Sequence, residues 1–195
     1  SDTPASVTLQ VFTEKEGDDA FVPVQTIDVA EGSVEKVDID AIDAIPAGRH
    51  SLVVSSNAVG IVAEQVITRG SGGGAVTVVS LGSRLAATRW WVPTPLQDVG
   101  SSSLVVANQT GESATFSVVA VGFEKLLVVP GLQDIALPAA SDFVGGTVDV
   151  DLTAFPDLVG KAVLVESSVE TVVLRRPSRG PGRKGRTSVF ALPEV

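Results

Sequence analysis

Alternation between apolar and polar positions is the main pattern along this chain, and it comes in short segments. Residues 7–12 (VTLQVF) place Val7, Leu9 and Val11 on one face, because successive side chains of a strand point to opposite sides. Comparable segments follow along the first half, separated by residues that favour turns. With about seven strands in roughly ninety residues, this density is typical of an immunoglobulin-like sandwich.

The segments of the first half recur in the same order in the second half. The recurring pairs are residues 34–43 with 146–152 and residues 45–66 with 155–174. In the longer pair a proline turn, an apolar strand, a Ser-Ser corner and a second Val-rich strand follow one another. The offset is 111 residues between Val53 and Leu164 and 100 residues between Pro93 and Pro193. We therefore predict an all-β chain of two tandem immunoglobulin-like β-sandwich domains, residues 1–93 and 94–195.

The second copy begins with a strand that the first copy lacks. Residues 103–109 form this opening strand, whereas the first copy begins directly at Val7. A sandwich without an edge strand exposes unpaired backbone groups. Three interpretations stay open: the first domain is complete without the strand, the strand lies upstream, or residues 187–192 pair elsewhere.

The composition agrees with a β-rich core. The chain is 44% hydrophobic and only 19% charged, so it can bury a core, and its many valines fit the pleated surface of a sheet. Cysteine is absent, which excludes disulfides, thiolate catalysis and cysteine-based metal sites.

The net charge of −9 bears on the partner, and the lack of a long apolar run and of cysteine bears on the location. An acidic chain would repel the phosphate backbone, so we expect no nucleic acid as a partner. No apolar run reaches the roughly 18 residues of a membrane span, so we expect no transmembrane span. A chain without cysteine is compatible with an extracytoplasmic bacterial protein. We therefore expect secretion, or anchoring to the cell envelope through sequence outside this chain.

Two adjacent tryptophans, Trp90 and Trp91, form the most conspicuous candidate site. Neighbouring strand residues face opposite sides, so one indole is buried and the other is not. Aligning Pro93 with Pro193 sets Trp90 against Phe190, which makes Trp90 the core residue. An exposed Trp91 could stack on a sugar ring or anchor a partner, or it could pack at the junction of the two domains.

Acidic residues occur in an Asp-x-Asp pattern in both copies. They are Asp38, Asp40 and Asp43, with Asp149 and Asp151 as counterparts. Calcium needs about six to eight oxygens that converge from a loop. Within a strand, by contrast, both carboxylates point to one solvent face while the alternating Val and Ile fill the other. The pattern therefore predicts a solvated face and no metal site.

Residues for nucleophilic catalysis or phosphate binding are scarce. His50 is the only histidine, and no Gly-x-Ser-x-Gly motif occurs. The glycine-rich segments 70–74 and 180–185 lack the strand, the helix and the lysine arrangement of a phosphate-binding loop. We therefore predict a protein that is not an enzyme and needs no cofactor.

A basic segment near the C-terminus stands out against the acidic chain. Six of the 14 basic residues lie within it: Arg175, Arg176, Arg179, Arg183, Lys184 and Arg186. Its proline and glycine residues predict a mobile loop and not a strand or helix. Such a loop could bind anionic lipid headgroups, an anionic cell-wall polymer or an acidic protein face. The alternative is a solvated connector that matches residues 70–74 of the first copy.

Four segments of the chain carry a family resemblance: AEQVI (63–67), RWWVPTP (89–95), SLVVANQTGESATFSV (103–118) and VLVESSVETVVLRR (163–176). Together they resemble an uncharacterised repeat family of secreted actinobacterial β-rich proteins, which has recurrent Trp-aromatic-x-Pro and Asn-turn strands. The chain departs from the family pattern by having Asn108-Gln109 where Asn-Pro is expected. The resemblance implies an extracytoplasmic β-rich domain and no catalytic residues.

Two functional hypotheses follow from these features. The first is a non-catalytic structural or interaction module of the bacterial cell envelope, which docks an envelope protein through its sandwich surfaces. The alternative is a carbohydrate-binding module built around Trp91. Sugar-binding modules usually present several exposed aromatics in a line, whereas this chain has only 7 Phe, 2 Trp and no Tyr. The composition therefore favours the interaction module.

Overall fold

Short strands and turns account for the part of the chain that the structure describes. The structure is a computed structural model, and it describes residues 3–13, 25–43, 45, 50–69, 76–94, 99–140, 146–158, 160–179 and 189–194. Strands make up most of the described ranges, and the helices in these ranges are short 3₁₀ turns. The predicted all-β class is confirmed. None of the helices in these ranges has the length and apolarity that crossing a membrane requires.

The chain divides into two compact units. One comprises residues 1–63 with residues 140–145, and the other comprises residues 64–139 with residues 146–195. The first unit ends at residue 63, whereas the predicted domain boundary lies between residues 93 and 94. Residues 87–92 belong to the second unit, because the strands that pair with them come from the second half of the chain. The assignment of two tandem immunoglobulin-like domains stays a prediction.

The first unit contains a three-stranded antiparallel sheet. Its central strand is β1 (Ala5–Thr13), which pairs with β2 (Gln25–Val29) on one side and with β3 (His50–Ser56) on the other. The predicted inward face of β1 is confirmed, since Val7, Leu9 and Val11 are buried. Half-buried apolar residues pack against Leu9 and Val11: Val37, Ile39 and Ile45 from the segment after β2, and Leu52 from β3.

A two-stranded hairpin follows, formed by β4 (Glu64–Arg69) and β5 (Val76–Leu81). It makes a sheet of its own among the described residues. The hydroxyls of Thr68 and Thr77 lie 3.1 Å apart across the two strands.

The remaining strands form one extended antiparallel assembly in the second unit. They are β6 (Ala87–Val92), β7 (Val99–Asn108), β8 (Ala114–Val121), β9 (Leu126–Val128), β10 (Ile135–Leu137), β11 (Gly146–Asp151), β12 (Val163–Arg179), β13 (Val189–Phe190) and β14 (Leu192–Pro193). β12 is 17 residues long and connects the assembly. Its first half lies between β6 and β8, and its second half pairs with β7 and briefly with β13. The change of partner coincides with a register shift between Glu166 and Thr171, at the Ser-Ser corner seen in the sequence.

The inward side chains of both halves of β12 share one hydrophobic core. Trp90 is the largest of its fully buried residues, and it packs with apolar residues of β8, β7, β11 and both halves of β12. The alternation in β11 is confirmed, since Val148 and Val150 pack against this core while Asp149 and Asp151 alternate with them. Two groups of strands around one core are consistent with a β-sandwich.

Candidate functional site

The two tryptophans of β6 occupy opposite faces of the sheet, as predicted. Trp90 is only 1% exposed, and its indole Nε1 donates to the carbonyl oxygens of Ala87, at 2.9 Å, and Thr171, at 3.0 Å. Both bonds satisfy the indole inside the core. Trp91 points to the other face and is 37% exposed.

Trp91 belongs to a line of apolar side chains that crosses five strands, which we call the apolar row. Successive strands place Val128 opposite Val119, Val119 opposite Leu164, Leu164 opposite Trp91 and Trp91 opposite Leu192. Directly paired residues of antiparallel strands lie on the same face. Val128 and Leu192 at the ends are 68% and 66% exposed, while Val119 and Leu164 between them are buried. The apolar row is therefore exposed at its two ends and buried in the middle.

Three charged side chains, Arg89, Glu166 and Glu194, form a row beside the apolar row, each two residues away from Trp91, Leu164 or Leu192 in the sequence. In this charged row Arg89 is paired with Glu166, and its Nε lies 3.0 Å from the Glu166 Oε1. The Arg89 Nη1 lies 2.8 Å from the Glu194 Oε2, and the Glu194 backbone N–H donates to the Arg89 carbonyl oxygen. These ion pairs are exposed, so they contribute little to stability and remain available to a ligand. We call the apolar row and the charged row together the Trp91 face.

The basic segment is partly a strand, so the prediction of a loop from residue 175 onwards is wrong for residues 175–179. β12 continues through them and pairs with β7. The proline that suggested a loop, Pro177, lies opposite Ser102. Among the described strands, only β7 pairs with β12 at Pro177, so β12 is an edge strand there. Edge strands tolerate proline, which has no backbone N–H to donate.

Arg175, predicted as a binding residue, is only 2% exposed. Its Nε donates to the Ser102 Oγ at 2.9 Å, and its Nη1 donates to the carbonyl oxygens of Pro93, at 2.9 Å, and Lys161, at 3.4 Å. Burial away from water lowers the pKa of this guanidinium from its ordinary value. In this arrangement Arg175 holds the ends of neighbouring strands together and does not present its charge to a partner.

The other residues of the basic segment differ in position. Arg176 points to the opposite face from Arg175, and its Nη2 lies 2.6 Å from the Asp149 Oδ2. Arg179 ends β12, but its side chain lies outside the described residues, as do Arg183, Lys184 and Arg186. The structure therefore does not bring the six basic residues together into one described site.

The acidic pattern of the second copy has structural roles. Asp149 forms the ion pair with Arg176. Asp151 caps a 3₁₀ helix, because its carboxylate accepts from the backbone N–H and the hydroxyl of Thr153. These hydrogen bonds lower the pKa of Asp151 below its ordinary value of 3.8. Among the residues with described positions, no three His, Cys, Asp or Glu side chains are grouped so that they could hold a metal ion.

Asn108, which belongs to the Asn-turn motif, is buried and closes a turn. Its Nδ2 donates to the carbonyl oxygens of Glu112, at 2.7 Å, and Pro138, at 2.9 Å. Its Oδ1 accepts from the N–H and the hydroxyl of Thr110, both at 2.8 Å. The Asn108 side chain therefore organises the connection between β7 and β8.

Sequence reasoning missed the charged row completely. The alternation in residues 163–167 places Glu166 on the same face as Leu164, and the alternation in β6 does the same for Arg89 and Trp91. The pairing of β6 with β12 brings these faces together, and it cannot be predicted from the local sequence.

Comparisons with known proteins add little to this description. No family model matches the chain, and no curated protein matches it. The resemblance to an actinobacterial repeat family therefore stays a prediction. A solved structure described as "Crystal Structure of Thermotoga maritima 1070" is similar over 55% of this chain and 95% of that chain, with 16% sequence identity and a TM-score of 0.44.

Proposed function

We propose that this protein is a non-catalytic interaction module that docks a protein partner through the Trp91 face. The observation that carries the proposal is the apolar row, in which Trp91 and Leu192 are exposed next to buried Leu164. Trp91 and Leu192 are direct cross-strand neighbours, and exposed apolar patches on a folded protein commonly mark interaction sites. A small molecule usually needs a concave pocket, and the pockets described in this structure do not include Trp91 or Leu192.

The arrangement of the Trp91 face matches the anatomy of a protein interface. Tryptophan is among the residues that dominate binding energy when a partner covers them, and Leu192 extends the exposed apolar area on one side of Trp91. The charged row forms a polar rim along one side. Arg89 with its two carboxylates would orient a partner of complementary charge and reject others.

A carbohydrate is the second candidate ligand. The charged row favours it, because Arg89, Glu166 and Glu194 stand beside Trp91 and offer the donors and acceptors that sugar hydroxyls need. However, the direct neighbours of Trp91 within the apolar row are the aliphatic Leu164 and Leu192, so the row presents one indole and not a line of aromatics. This composition supports a protein as the partner.

We further propose that the module acts outside the cytoplasm, in the bacterial cell envelope. This location rests on the sequence, which has no cysteine and resembles a secreted family. Fractionation of the producing cells with an antibody against the chain tests it, and recovery in the cytoplasmic fraction alone would contradict it.

Site-specific photo-crosslinking in the producing cells tests the docking surface. With a photoreactive residue at position 192, we expect a discrete adduct with one protein. Trp91→Ser should weaken binding of that protein by at least about thirtyfold, or about 2 kcal/mol, as for a central interface tryptophan. Val79→Ser, which changes an exposed valine of the separate β4–β5 hairpin, is the matched control and should leave binding unchanged.

The same variants distinguish the two ligand classes. A purified chain that binds a glycan array through Trp91, with no protein adduct at position 192, would overturn the protein proposal in favour of the carbohydrate. If Trp91→Ser and Val79→Ser changed binding equally, the Trp91 face would have no specific part in binding.

A further inference from the structure

Among the described strands, β3 forms one edge of the first sheet. β3 pairs with β1 along seven residue pairs, and across the described ranges no strand pairs with its opposite edge. An edge of this kind presents unpaired backbone N–H and C=O groups, which are a template for another strand.

The second unit contains the same strand pair in a completed form. The 111-residue offset that relates Val53 to Leu164 maps β3 onto the first half of β12. β1 pairs with β3 antiparallel through Gln10 and Val53, and β8 pairs with β12 antiparallel through Val119 and Leu164. Gln10 therefore corresponds to Val119. Leu9 and Val11 on either side of Gln10 are buried, and so are the two neighbours of Val119, so the inward faces also correspond.

The two pairs differ at the far edge. On β12 that edge is covered by β6, which sets Val92 opposite Val163 and Trp90 opposite Val165. Both valines of β12 are fully buried. The counterpart of Val165 on β3 is Val54, which is 38% exposed. Within the described ranges, β3 thus lacks an equivalent of β6.

We propose that the outer edge of β3 accepts an extended strand from a protein partner, running antiparallel to β3 as β6 runs to β12. The strand carries a bulky aromatic residue opposite Val54 and, two residues later, a β-branched residue opposite Leu52. Such strand addition takes affinity from backbone hydrogen bonds and specificity from alternate side chains. This site is distinct from the Trp91 face, so it goes beyond the function proposed above.

The chemistry of the incoming strand can be read from β6. Trp90 and Val92 supply the two inward side chains, and Trp91 faces outward. The counterpart of Glu166 is Ser55, so the strand needs no equivalent of Arg89. The recognition pattern is therefore aromatic-x-β-branched, without a required charge.

A synthetic peptide with the sequence of residues 87–94, ATRWWVPT, is the probe, added to the full-length chain. Hydrogen exchange measured by mass spectrometry should show the β3 amides, residues 50–56, slowed by at least about tenfold at saturation. β2, which forms the opposite edge of the same sheet, should be unaffected. A control peptide with serine at both inward positions, ATRSWSPT, should give no protection.

A pair of protein variants provides the second arm. Val54→Lys places a charge opposite the incoming aromatic residue and should abolish the protection, because inward charges at an edge block strand addition. Val62→Lys changes another exposed valine of the same unit, outside β3, and should preserve it. Unchanged thermal unfolding of both variants would show that they fold, and the two peptides test the proposal on the parent chain in any case.

Several outcomes would overturn the proposal. Absence of protection by ATRWWVPT at millimolar concentration would do so, as would equal protection by the serine peptide. Protection of β12 in place of β3 would mean that the peptide merely exchanges with β6. Concentration-dependent self-association that Val54→Lys disperses would assign the edge to a second copy of the chain and not to a separate partner.

Discussion

At the scale of single residues, adjacent positions in this chain have opposite roles. Trp90 and Trp91 differ because strand geometry sends one indole into the core and leaves the other on the surface. Arg175 and Arg176 differ in the same way, since Arg175 is buried among oxygen acceptors and Arg176 pairs with Asp149. A function assigned to a pair of neighbouring residues in this protein must therefore be divided between them.

The tryptophan pair gives the first stability prediction. Trp90→Ala should lower the free energy of unfolding by about 3–5 kcal/mol, because it leaves a cavity in the core and removes the indole hydrogen bonds to the carbonyl oxygens of Ala87 and Thr171. Trp91→Ala should lower it by about 1 kcal/mol or less, since the side chain is partly in water already. Denaturant unfolding of both variants measures the difference, and a reversed order would contradict the assignment of faces.

The cap formed by Asp151 predicts a pH dependence. Its hydrogen bonds from Thr153 hold the folded-state pKa below the ordinary value of 3.8, so the carboxylate stabilises the fold at pH above that value. The contribution is lost as the pH falls through the lower, folded-state pKa. The parent chain should therefore be more stable than Asp151→Ala at pH 7 and approach it in stability near pH 2. A stability gap that is the same at both pH values would show that the charge has no part in the cap.

At the scale of elements, β12 organises the second unit. Residues 163–165 have a strand on both sides, whereas β14 pairs with β6 over only two residues. Amides in the first half of β12 should consequently exchange at least about tenfold more slowly than those of β14, because short edge strands open locally. Native-state hydrogen exchange measures both in one experiment. Equal rates would indicate that the whole unit opens as one.

Local sequence predicted the strands better than their partners. The inward face of β1, the alternation in β11 and the opposite faces of Trp90 and Trp91 all follow from a period of two. The continuation of β12 to Arg179 was not predicted, because proline and glycine in the basic segment favour a loop and pairing with β7 overrides them. The partner of β6 was not predicted either. It lies about seventy residues away along the chain, and periodicity holds no information about pairing at that distance.

At the scale of the whole molecule, charge is unevenly distributed along an acidic chain. Arg175 is buried and Arg176 is paired with Asp149, so the candidates that remain for binding an anion are Arg179, Arg183, Lys184 and Arg186, whose side chains lie outside the described residues. Replacing these four residues with serine should leave the melting temperature nearly unchanged. If the segment binds anionic lipid or cell-wall polymer, the change should abolish that binding, and added salt should weaken it in the parent chain.

Anionic liposomes at low and physiological ionic strength provide the measurement. A variant with serine at Lys36, Arg84 and Lys125, which are exposed basic residues elsewhere, is the control and should bind as the parent does. Binding that survives the loss of Arg179, Arg183, Lys184 and Arg186 at low salt would reduce the segment to a connector.

The late position of β12 has a consequence for synthesis. β6, β7 and β8 are all complete before the strand that joins them, since β12 begins only at Val163. At roughly 5–20 residues per second, the strands made first wait about 4 to 15 seconds for it to be translated. During that interval their apolar faces, including the Trp90 side of β6, lack their main partner. A nascent chain shorter than 163 residues should therefore be open to proteolysis and aggregation, and it should become resistant only after β12 has left the ribosome.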